Sequence, residues 1–374
     1  MLLLLSVLFF FIALFPYMIY LWGIYFGKKS DEIILPLTYP AISIVMSAYN
    51  EEQVIEKRIA NIQECHYPKE SMEIIFVDDL SSDNTKNLAK LCLERSKIPY
   101  QIISNTERLG TNRSYNSAIS RANYPIIVTT DADVFFEPDA LSYLIGRLLS
   151  NKKIAAVTGE LRPLMNTNST TILEGVYRSF YGRMCVWEST IDSTYNFNGA
   201  LVAFRSDLIQ RINDKRGADD ANTAFEAIRK GYRAVYESKA VVYEVIPKSF
   251  KIQYRQKTRR ATGLIEATLS NLDLLGKQNW FSRFFYPLRI YMYICTPVLF
   301  FLSLVVFSLG MFQHNPVFLL IIFLCLSVTG IFWRQNLAFA FILNQFYLLA
   351  GLLNLGKDMR VWESTSDKKT VKPS

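Results

Sequence analysis

The sequence contains few histidines, no closely paired cysteines and no internal repeat. Its 374 residues include only two histidines, His66 and His314, and no CxxC pair, so a zinc site would lack ligands. The five cysteines are odd in number and widely spaced, which implies no disulfide framework. These absences argue against a disulfide-stapled secreted domain and favour a soluble portion in the cytosol.

Charged side chains are missing from three long stretches. Met1 to Gly27 contains none, Ile290 to Trp333 has 44 residues without one, and Gln335 to Gly356 has 22. A helix needs about 20 apolar residues to span a bilayer, so this composition, 51% hydrophobic, excludes a purely soluble protein. The charged remainder, from Lys28 to about Arg289, excludes a purely intramembrane one.

The first apolar stretch predicts an uncleaved membrane anchor. It has the length of a signal peptide, but it lacks a basic leading segment and a small-residue cleavage site, and Lys28 and Lys29 follow it. By the positive-inside rule, these lysines put the chain from Lys28 onward in the cytoplasm. Anionic lipid headgroups then account for the net charge of +8, and nothing indicates nucleic-acid binding.

The C-terminal apolar stretches predict two or three further spans. Ile294 to Phe312 and Val317 to Trp333 have the pattern of a helical hairpin, and Leu337 to Leu355 is a third candidate. Three spans would end outside the cell, whereas the basic tail after Gly356 favours the inside. The third segment carries asparagine and glutamine, so re-entrant, interfacial and partner-packed placements all stay open for it.

These features predict a multi-pass protein of the cell membrane whose catalytic domain is cytoplasmic. Its expected parts are a transmembrane anchor at 1–27, a cytosolic domain at 28–275, an interfacial helix at 276–292, C-terminal transmembrane segments at 293–356 and a basic tail at 357–374.

The soluble part alternates short apolar runs with amphipathic stretches. Ala41 to Ala48 is rich in β-branched residues and precedes a stretch of helical periodicity. The alternation recurs at Glu73 to Val77, Tyr100 to Ser104 and Pro125 to Thr130. Buried parallel strands alternating with helices predict an α/β doubly wound sheet. Ligands of such sheets bind beyond the carboxyl ends of the strands.

Polar residues stand at those strand ends. They are Tyr49-Asn50-Glu51, Asp78-Asp79 and Asp131-Ala132-Asp133. Asn and Asp after a strand often serve only as turn formers or helix caps. For Asn50 and Asp83, this structural role explains the residue as well as a role in ligand binding does. The carboxylates of Asp131 and Asp133 repel each other unless a cation or donor groups neutralise them. This pair therefore predicts a metal or nucleotide site.

With these motifs in order, residues 40 to about 265 resemble the nucleotide-sugar half of glycosyltransferase family 2. The motifs are Ala41 to Glu51, FVDDLSSDNT at Phe76 to Thr85 and VTTDADV at Val128 to Val134. The chain is most similar to the membrane-embedded branch that contains hyaluronan, chitin, cellulose and poly-N-acetylglucosamine synthases. The resemblance implies a GT-A type fold, with a mixed, mostly parallel sheet.

The resemblance also implies a role for each strand end. Tyr49 and Glu51 would line the nucleoside pocket, and Asp79 would contact a uracil base. Asp131 would lie near the ribose and diphosphate, and Asp133, with Asp131 beside it, would hold a divalent metal. Mg²⁺ or Mn²⁺ suits such a site, because hard cations prefer oxygen donors and neutralise a diphosphate leaving group.

An acidic pair opens a later amphipathic segment, GADDANTA at Gly217 to Ala224. Two carboxylates exceed what a helix cap needs. The run resembles the family's TED motif, with Asp219 in place of Glu and Asp220 matching the general base. Direct displacement at the anomeric carbon requires a base that removes the acceptor proton. The resemblance therefore implies that Asp220 is catalytic, with Asp219 beside it.

The run QKTRR, from Gln256 to Arg260, resembles the QxxRW motif of processive members. Arg260 replaces the Trp that helps to hold the acceptor sugar in the family, which puts processivity in doubt. Gln256, Arg259 and Arg260 are expected at the donor, where an arginine can bind a diphosphate bidentately. A basic helix lying on anionic lipid is the alternative, and both can hold on different faces.

Expectations for three further regions follow from the resemblance. Thr111 stands where the family often has Lys, and Arg113 is expected either to supply that charge to the diphosphate or to face solvent. Asn198 and Gly199 resemble the acceptor-side loop. Trp362 resembles part of a gating tail, although an interfacial anchor explains it as well.

The sequence therefore predicts an inverting, metal-dependent glycosyltransferase that moves a sugar from a nucleotide-sugar, expected to be UDP-linked, to a membrane-associated glycan or polysaccharide. Transfer of a single sugar to a polyprenyl phosphate or lipid-linked acceptor is the alternative, because few helices are present to line a channel. A nucleotide-binding scaffold or transporter is the remote alternative, since the C-terminal spans contain no Asp, Glu or Lys to form a substrate path.

Overall fold

The computed structural model describes most of the chain. The described residues are 1–29, 31–33, 35, 38–164, 169–213, 218–247, 249–315, 317 and 337–357. Two predicted features lie outside them: nearly all of the second hairpin segment, at 318–336, and the tail at 358–374 that contains Trp362.

A mixed sheet of eight strands forms the centre of the described soluble part. In chain order the strands are β1 (Ile42–Ala48), β2 (Met72–Asp78), β3 (Tyr100–Ser104), β4 (Ile126–Asp131), β5 (Val134–Phe136), β6 (Ile154–Pro163), β7 (Val202–Arg205) and β8 (Arg233–Glu244). Their order across the sheet is β3-β2-β1-β4-β7-β6-β8-β5. The first four strands pair in parallel, as do β6 and β8, whereas β7 and β5 run antiparallel to their neighbours. The predicted doubly wound, mostly parallel sheet is confirmed.

Alternating side chains of the central strands build one core on each face of the sheet. In β1, Ile44 and Met46 pack on one side and Val45 on the other, and all three are fully buried. The first side is covered by α2 (Ile55–Gln63), α3 (Thr85–Ser96) and α5 (Ala140–Leu149). The second is covered by α4 (Thr111–Ile119), α6 (Ser169–Ile191), α7 (Asp219–Arg229) and α8 (Phe250–Ser270).

Three apolar helices flank this α/β unit: α1 (Leu2–Phe26), α9 (Phe281–His314) and α10 (Leu337–Leu353). By length and composition, α1 and α9 could cross a membrane. They pack antiparallel, because Gly310 lies against Leu3 near one end and Thr296 Oγ1 donates to the carbonyl of Ala13 at 3.0 Å further along. Their outer apolar side chains are exposed, as lipid contact would require.

The polar residues of α10 form bonds inside the protein. Gln345 is fully buried and donates to the hydroxyl of Tyr17 at 3.0 Å, and Asn344 donates to that of Tyr181 at 3.3 Å. Gly351 lies so close to Ala261 of α8 that a Cβ would be only 3.0 Å from the Ala261 Cβ. The amides that made this segment ambiguous in sequence therefore attach it to α1, α6 and α8.

A buried ion pair joins the apolar helices to the α/β unit. Arg289 Nε and Glu188 Oε1 are 2.6 Å apart, and both side chains are only 1% exposed. The Tyr20 hydroxyl also donates to Glu188. Removing one partner from a buried pair typically costs 3–5 kcal/mol, so this contact restrains how α1 and α9 sit on α6. The helix α9 runs without interruption from Phe281 to His314 and so crosses residue 292. The predicted division into an interfacial helix at 276–292 and transmembrane segments at 293–356 stays a prediction.

Candidate active site

The carboxyl ends of β1, β2 and β4 lie side by side at one edge of the sheet. Ala48 is paired with Asp78, and Ser47 with Asp131. The loops beyond β1 and β2 interlock there, since Ser82 N donates to Asn50 Oδ1 at 2.8 Å and Glu51 N donates to Thr85 Oγ1 at 2.7 Å. The parallel register therefore brings the predicted Tyr49, Glu51, Asp79, Asp131 and Asp133 to the same edge.

Asp79 is the centre of a built pocket wall. Its side chain is 5% exposed, and Oδ1 accepts hydrogen bonds from Asn105 Nδ2 and Leu109 N, both at 2.8 Å. Oδ2 accepts from Arg108 Nε at 3.2 Å and from Gly110 N at 3.0 Å. A base that contacts this carboxylate must share or replace these donors.

Arg108 links this carboxylate to an aromatic face. Its guanidinium carbon lies 3.1 Å from the centroid of the half-buried Tyr49 ring. Arg108 therefore stacks on Tyr49 and donates to Asp79, and a nucleobase is a planar group that can make the same two contacts. Gly110 makes this loop possible because its φ of 77° lies in the left-handed region, where residues with a Cβ are strained.

The turn between β4 and β5 carries Asp131 and Asp133, and both are half-buried. Arg58, fully buried, holds this turn from below: Nη2 donates to Thr130 Oγ1 at 2.8 Å and Nε to the carbonyl of Asp131 at 3.3 Å. Burial lowers the pKa of Arg58 to about 10, while the carboxylates of Asp131 and Asp133 act in the opposite direction. Sequence reasoning missed Arg58, although its position among Ile55, Ile59 and Ile62 on the buried face of α2 is a readable signal.

The donor set of this turn fits a hard divalent cation. Within the described ranges, no group of three or more His, Cys, Asp or Glu side chains could hold a metal. Two half-buried carboxylates nevertheless offer oxygen ligands of the kind that Mg²⁺ and Mn²⁺ prefer, and Mg²⁺ sites commonly take their remaining ligands from substrate phosphates and water.

The amino end of α7 is fastened to α8. Ala218 N donates to the carbonyl of Gly263 at 3.2 Å, and a Cβ on Gly263 would be 3.6 Å from Ala218 N. Arg259 lies one turn before Gly263, on the same face of α8. Asp220, in the first turn of α7, is half-buried, and its Oδ1 accepts from Ala221 N at 2.7 Å. Of Asp219, only the backbone lies within the described structure.

A network of buried charges connects α8 to the acidic turn. Glu244 stands at the end of β8 opposite Val134, the residue after Asp133. Its carboxylate accepts from Arg178 Nη2 at 2.6 Å, from Arg260 Nη1 at 3.2 Å and from Gln256 Nε2 at 3.4 Å. Burial lowers the pKa of Arg260, but the carboxylate of Glu244 and, more weakly, that of Asp131 outweigh burial and raise it. Gln256 and Arg260 are thus both bonded to Glu244, which pairs with Val134 next to the acidic turn and which no motif indicated.

The same network extends to α6 through Glu174. Arg178 Nε lies 2.6 Å from Glu174 Oε1, and Lys257 forms an ion pair with the same carboxylate. Burial would raise the pKa of Glu174, but Lys257 and Arg178 outweigh it and lower that pKa to about 2. Likewise, burial would raise the pKa of Glu244, yet Arg260 and Arg178 hold it well below its usual range.

Lys257 predicts a pH dependence of stability. Burial, together with Arg178 and Arg260, outweighs Glu174 and lowers the pKa of Lys257 to about 8. An unfolded lysine titrates near pH 10.4, so between these values the unfolded chain binds more protons and stability rises with pH. Against a Lys257→Met variant, we expect the parent to gain on the order of 2 kcal/mol between pH 7.5 and 9.5 in thermal unfolding. Parallel curves for the two proteins would contradict this.

The loop before β7 carries Asn198 and Gly199, the predicted acceptor-side residues. Thr130 Oγ1 donates to the carbonyl of Ala200 at 2.7 Å, which ties this loop to the end of β4. Asn198 Nδ2 donates to the carbonyl of Gly159 at 2.6 Å, whereas its Oδ1 is buried and has no hydrogen-bond partner among the described residues. A buried acceptor atom of this kind suits a hydroxyl donor supplied by a substrate.

Arg113 lies exposed in the first turns of α4, directly after the Gly110 turn. Asn116, one turn further on, exchanges hydrogen bonds of 2.9 and 2.8 Å with the backbone of Ile212 and so packs α4 against the segment that leads to α7. Arg113 therefore borders the same edge of the sheet, and its role at the diphosphate stays a prediction.

Comparison with known proteins gives a consistent assignment. Glycosyl transferase family 2 matches residues 43–204, and glycosyl transferase family group 2 matches residues 126–350, which is more than half of the chain. The probable glycosyltransferase YdaM of Bacillus subtilis (strain 168) is 26% identical over 324 residues, covering 84% of this chain and 72% of YdaM.

Two further similarities bear on fold and length. The poly-beta-1,6-N-acetyl-D-glucosamine synthase of Staphylococcus aureus (strain COL) is 26% identical over 274 residues, which is 71% of this chain but 63% of the synthase. The chain thus spans less than two thirds of that relative. The mannosyltransferase PcManGT from Pyrobaculum calidifontis, solved with GDP-Man and Mn²⁺, superposes with a TM-score of 0.79 at 23% identity, covering 95% of this chain and 98% of that one. This likeness confirms the GT-A type fold.

Proposed function

Because the chain belongs to glycosyl transferase family 2, we propose that this glycosyltransferase inverts the anomeric centre and transfers a sugar from a nucleotide donor to a hydroxyl of a membrane-associated glycan. The observation that carries the proposal is that the Asp79 pocket and the Asp131–Asp133 turn share one edge of the sheet, while the amino end of α7 is bonded to α8, whose Arg260 interacts with the Asp131 carboxylate. Sugar transfer from a nucleotide sugar needs each of these parts: a pocket wall for the nucleobase, oxygen ligands near the diphosphate, and a general base for the acceptor hydroxyl.

In this proposal each group of residues has one role in the reaction. Tyr49, Glu51 and Asp79 hold the nucleoside, Arg113 and Gln256 border the diphosphate, and Arg259 and Arg260 stabilise its charge as the bond to the sugar breaks. Asp133 and Asp131 would hold Mg²⁺ or Mn²⁺, which supplies charge neutralisation at the leaving group. Asp220 takes the proton of the attacking hydroxyl, and Asn198 orients that acceptor beside Gly199.

Membrane attachment is part of the proposal. The apolar helices α1 and α9 are long enough to span a bilayer, and their outward side chains are apolar and exposed. An enzyme fastened in this way meets acceptors that are themselves membrane-bound. We therefore propose a glycan or polysaccharide acceptor at the membrane surface, with the α/β unit on the cytoplasmic side.

The donor is proposed to be a UDP-sugar. The Asp79 carboxylate accepts hydrogen bonds and suits the N3–H of uracil, and the Tyr49 ring offers a stacking face. The similarity to poly-beta-1,6-N-acetyl-D-glucosamine synthase favours a donor of the kind that such a synthase uses. The similarity to the GDP-Man complex supports the fold alone. A panel of UDP- and GDP-sugars, assayed for nucleotide release with and without Mn²⁺, tests this choice. Turnover of GDP-sugars only would refute it.

A single sugar added to a lipid-linked acceptor is the second candidate. Arg260, bonded to Glu244, stands where processive members of the family have Trp, so a platform for a growing chain is missing at this position. Separation of the radiolabelled product by size decides between the candidates. A ladder of lengths supports polymer synthesis, and one extractable glycolipid supports single transfer.

Asp79→Asn should weaken nucleotide binding about 10- to 100-fold. The substitution removes the charge that holds Arg108 and two backbone amides, and each hydrogen bond to a charged group contributes about 1.5–3 kcal/mol. Calorimetric titration with UDP measures the change. Asp207→Asn is the matched control, because Asp207 is exposed and outside the site. Equal affinity in parent and Asp79→Asn would contradict a role for Asp79 at the base.

A further inference from the structure

A cavity of about 730 Å³ lies between the end of α1, the middle of α6 and the ends of β6 and β8, and the proposed reaction does not use it. Part of its wall is apolar, formed by Ile24, Val186 and Trp187. Five cations also line it, Lys28, Lys29, Arg162, Arg178 and Arg183, against the single lining carboxylate of Glu160 among the described residues.

The apolar wall is a built surface. A Cβ on Gly23 or on Gly27 would collide with the indole of Trp187, so glycine at these two positions lets α1 approach α6 closely. Trp187 is itself 5% exposed and packs edge-on against Tyr20 at 5.4 Å between ring centroids. The cavity therefore has a rigid side at the point where α1 leaves the apolar region.

Arg178 gives the cavity a buried donor. Its side chain is nine-tenths buried, since only 10% is exposed. Nε and Nη2 bind Glu174 and Glu244, but Nη1 is buried and has no hydrogen-bond partner among the described residues. A buried guanidinium with an unsatisfied nitrogen in the lining of a cavity favours an anionic oxygen ligand.

The rim adds positive charge that exceeds the negative charge of Glu160, the one lining carboxylate among the described residues, which interacts with Arg162 and Arg178. Lys29, Arg162 and Arg183 are exposed and form no ion pair there. An anion at this place would meet positive charge on several sides, and the guanidinium of arginine matches the geometry of a phosphate group bidentately. The apolar wall and the position at the end of α1 favour a phosphate carried on a lipid over a free one.

We propose that this cavity binds the phosphate-bearing headgroup of a membrane lipid, with the first methylenes of the lipid against Ile24, Val186 and Trp187. The proposal rests on the membrane attachment proposed above. Arg178 bonds Glu244, which Arg260 also bonds, so the lipid site and the donor site share one charge network. Both a phospholipid and a polyprenyl phosphate carry the required group.

Native mass spectrometry of the full chain in a mild detergent tests this binding without donor or turnover. The probes are phosphatidylglycerol, a short-chain polyprenyl phosphate, diacylglycerol, which has tails but no phosphate, and inorganic phosphate. We expect the two phosphate-bearing lipids to bind at least about tenfold more tightly than the other two probes. Equal binding of diacylglycerol, or of inorganic phosphate, would overturn the proposal. Tighter binding of the polyprenyl phosphate than of phosphatidylglycerol would identify an acceptor-type lipid.

Two variants locate the site. Arg162→Gln with Arg183→Gln should weaken phosphatidylglycerol binding about 10- to 30-fold. The control variant, Lys277→Gln with Arg283→Gln, removes the same amount of charge near the start of α9, outside the cavity. It should change phosphatidylglycerol binding less than about threefold. Equal losses in both double variants would reduce the effect to general attraction to anionic lipid and overturn the site.

Gly175→Met fills the cavity without changing its charge. A Cβ at Gly175 would meet only the Pro163 side chain, at 3.4 and 4.0 Å, and both residues line the cavity. We expect weaker lipid binding with unchanged thermal stability. Unaltered binding in this variant would also overturn the proposal. Since no sugar transfer is measured, failure of these tests is separable from failure of the proposed glycosyltransferase reaction.

Discussion

Replacing Asp220 by asparagine should lower the turnover number about 10²- to 10⁴-fold, the usual contribution of a positioned general base. The amide has nearly the same shape as the carboxylate but cannot accept the acceptor proton. Asp220 is half-buried in the first turn of α7, and the contact between Ala218 and Gly263 holds that turn against α8. The backbone should therefore keep its position in the variant.

Nucleotide release from the preferred donor measures the effect, and calorimetric titration with UDP measures binding separately. We expect UDP affinity to stay within about threefold of the parent, because only the proton transfer is removed. Asp207→Asn makes the same chemical change on an exposed part of the domain and should leave both quantities unchanged. Full turnover in Asp220→Asn would refute Asp220 as the base and direct attention to Asp219.

Asp133→Ala should remove most of the Mn²⁺-dependent part of UDP affinity. The parent is expected to bind UDP at least about 10- to 100-fold more tightly with Mn²⁺ than with a chelator, since an ion held by Asp133 and Asp131 would neutralise the charge of the diphosphate. In the variant the two conditions should give nearly the same affinity. The measurement in chelator is an internal control, because an intact nucleoside pocket must leave it unchanged.

The reverse pattern would contradict the metal assignment. If Asp133→Ala keeps the full Mn²⁺ effect, the ion is held elsewhere. If it loses affinity equally with and without Mn²⁺, the residue acts on the nucleotide directly. Arg58 makes the variant a fair test, because its bonds to Thr130 Oγ1 and the Asp131 carbonyl hold the turn from beneath and do not involve the Asp133 side chain.

The α/β sheet could be predicted because its evidence is local. Each of β1, β2, β3 and β4 is a short apolar run with polar residues at its carboxyl end, and parallel pairing brings such ends to one edge. Local patterns carry no information on the strands outside this repeat. The insertion of β7 between β4 and β6, antiparallel to both, depends on pairings between residues about 45 to 80 positions apart.

The charge network illustrates what the motifs could not show. Glu174, Arg178 and Glu244 lie in no recognised motif, yet they hold Lys257 and Arg260 of α8 beside the Asp131 turn. The sequence predicted that Arg260 lies at the donor, which stays a prediction, and the fold shows in addition that Arg260 pairs with the buried carboxylate of Glu244. A charged residue is buried only where partners from other elements compensate its desolvation, and only the three-dimensional arrangement supplies those partners.

The amino-acid sequence by itself determined the apolar helices, the alternating strands and the order of acidic motifs, because hydrophobic periodicity and turn chemistry act between neighbours in the chain. The tertiary structure alone decided that Arg58 supports the Asp131 turn, that the amides of α10 bond inside the protein, and that a cationic cavity opens beside α1. These features depend on burial and on contacts between residues far apart in sequence, and those forces appear only once the chain is packed.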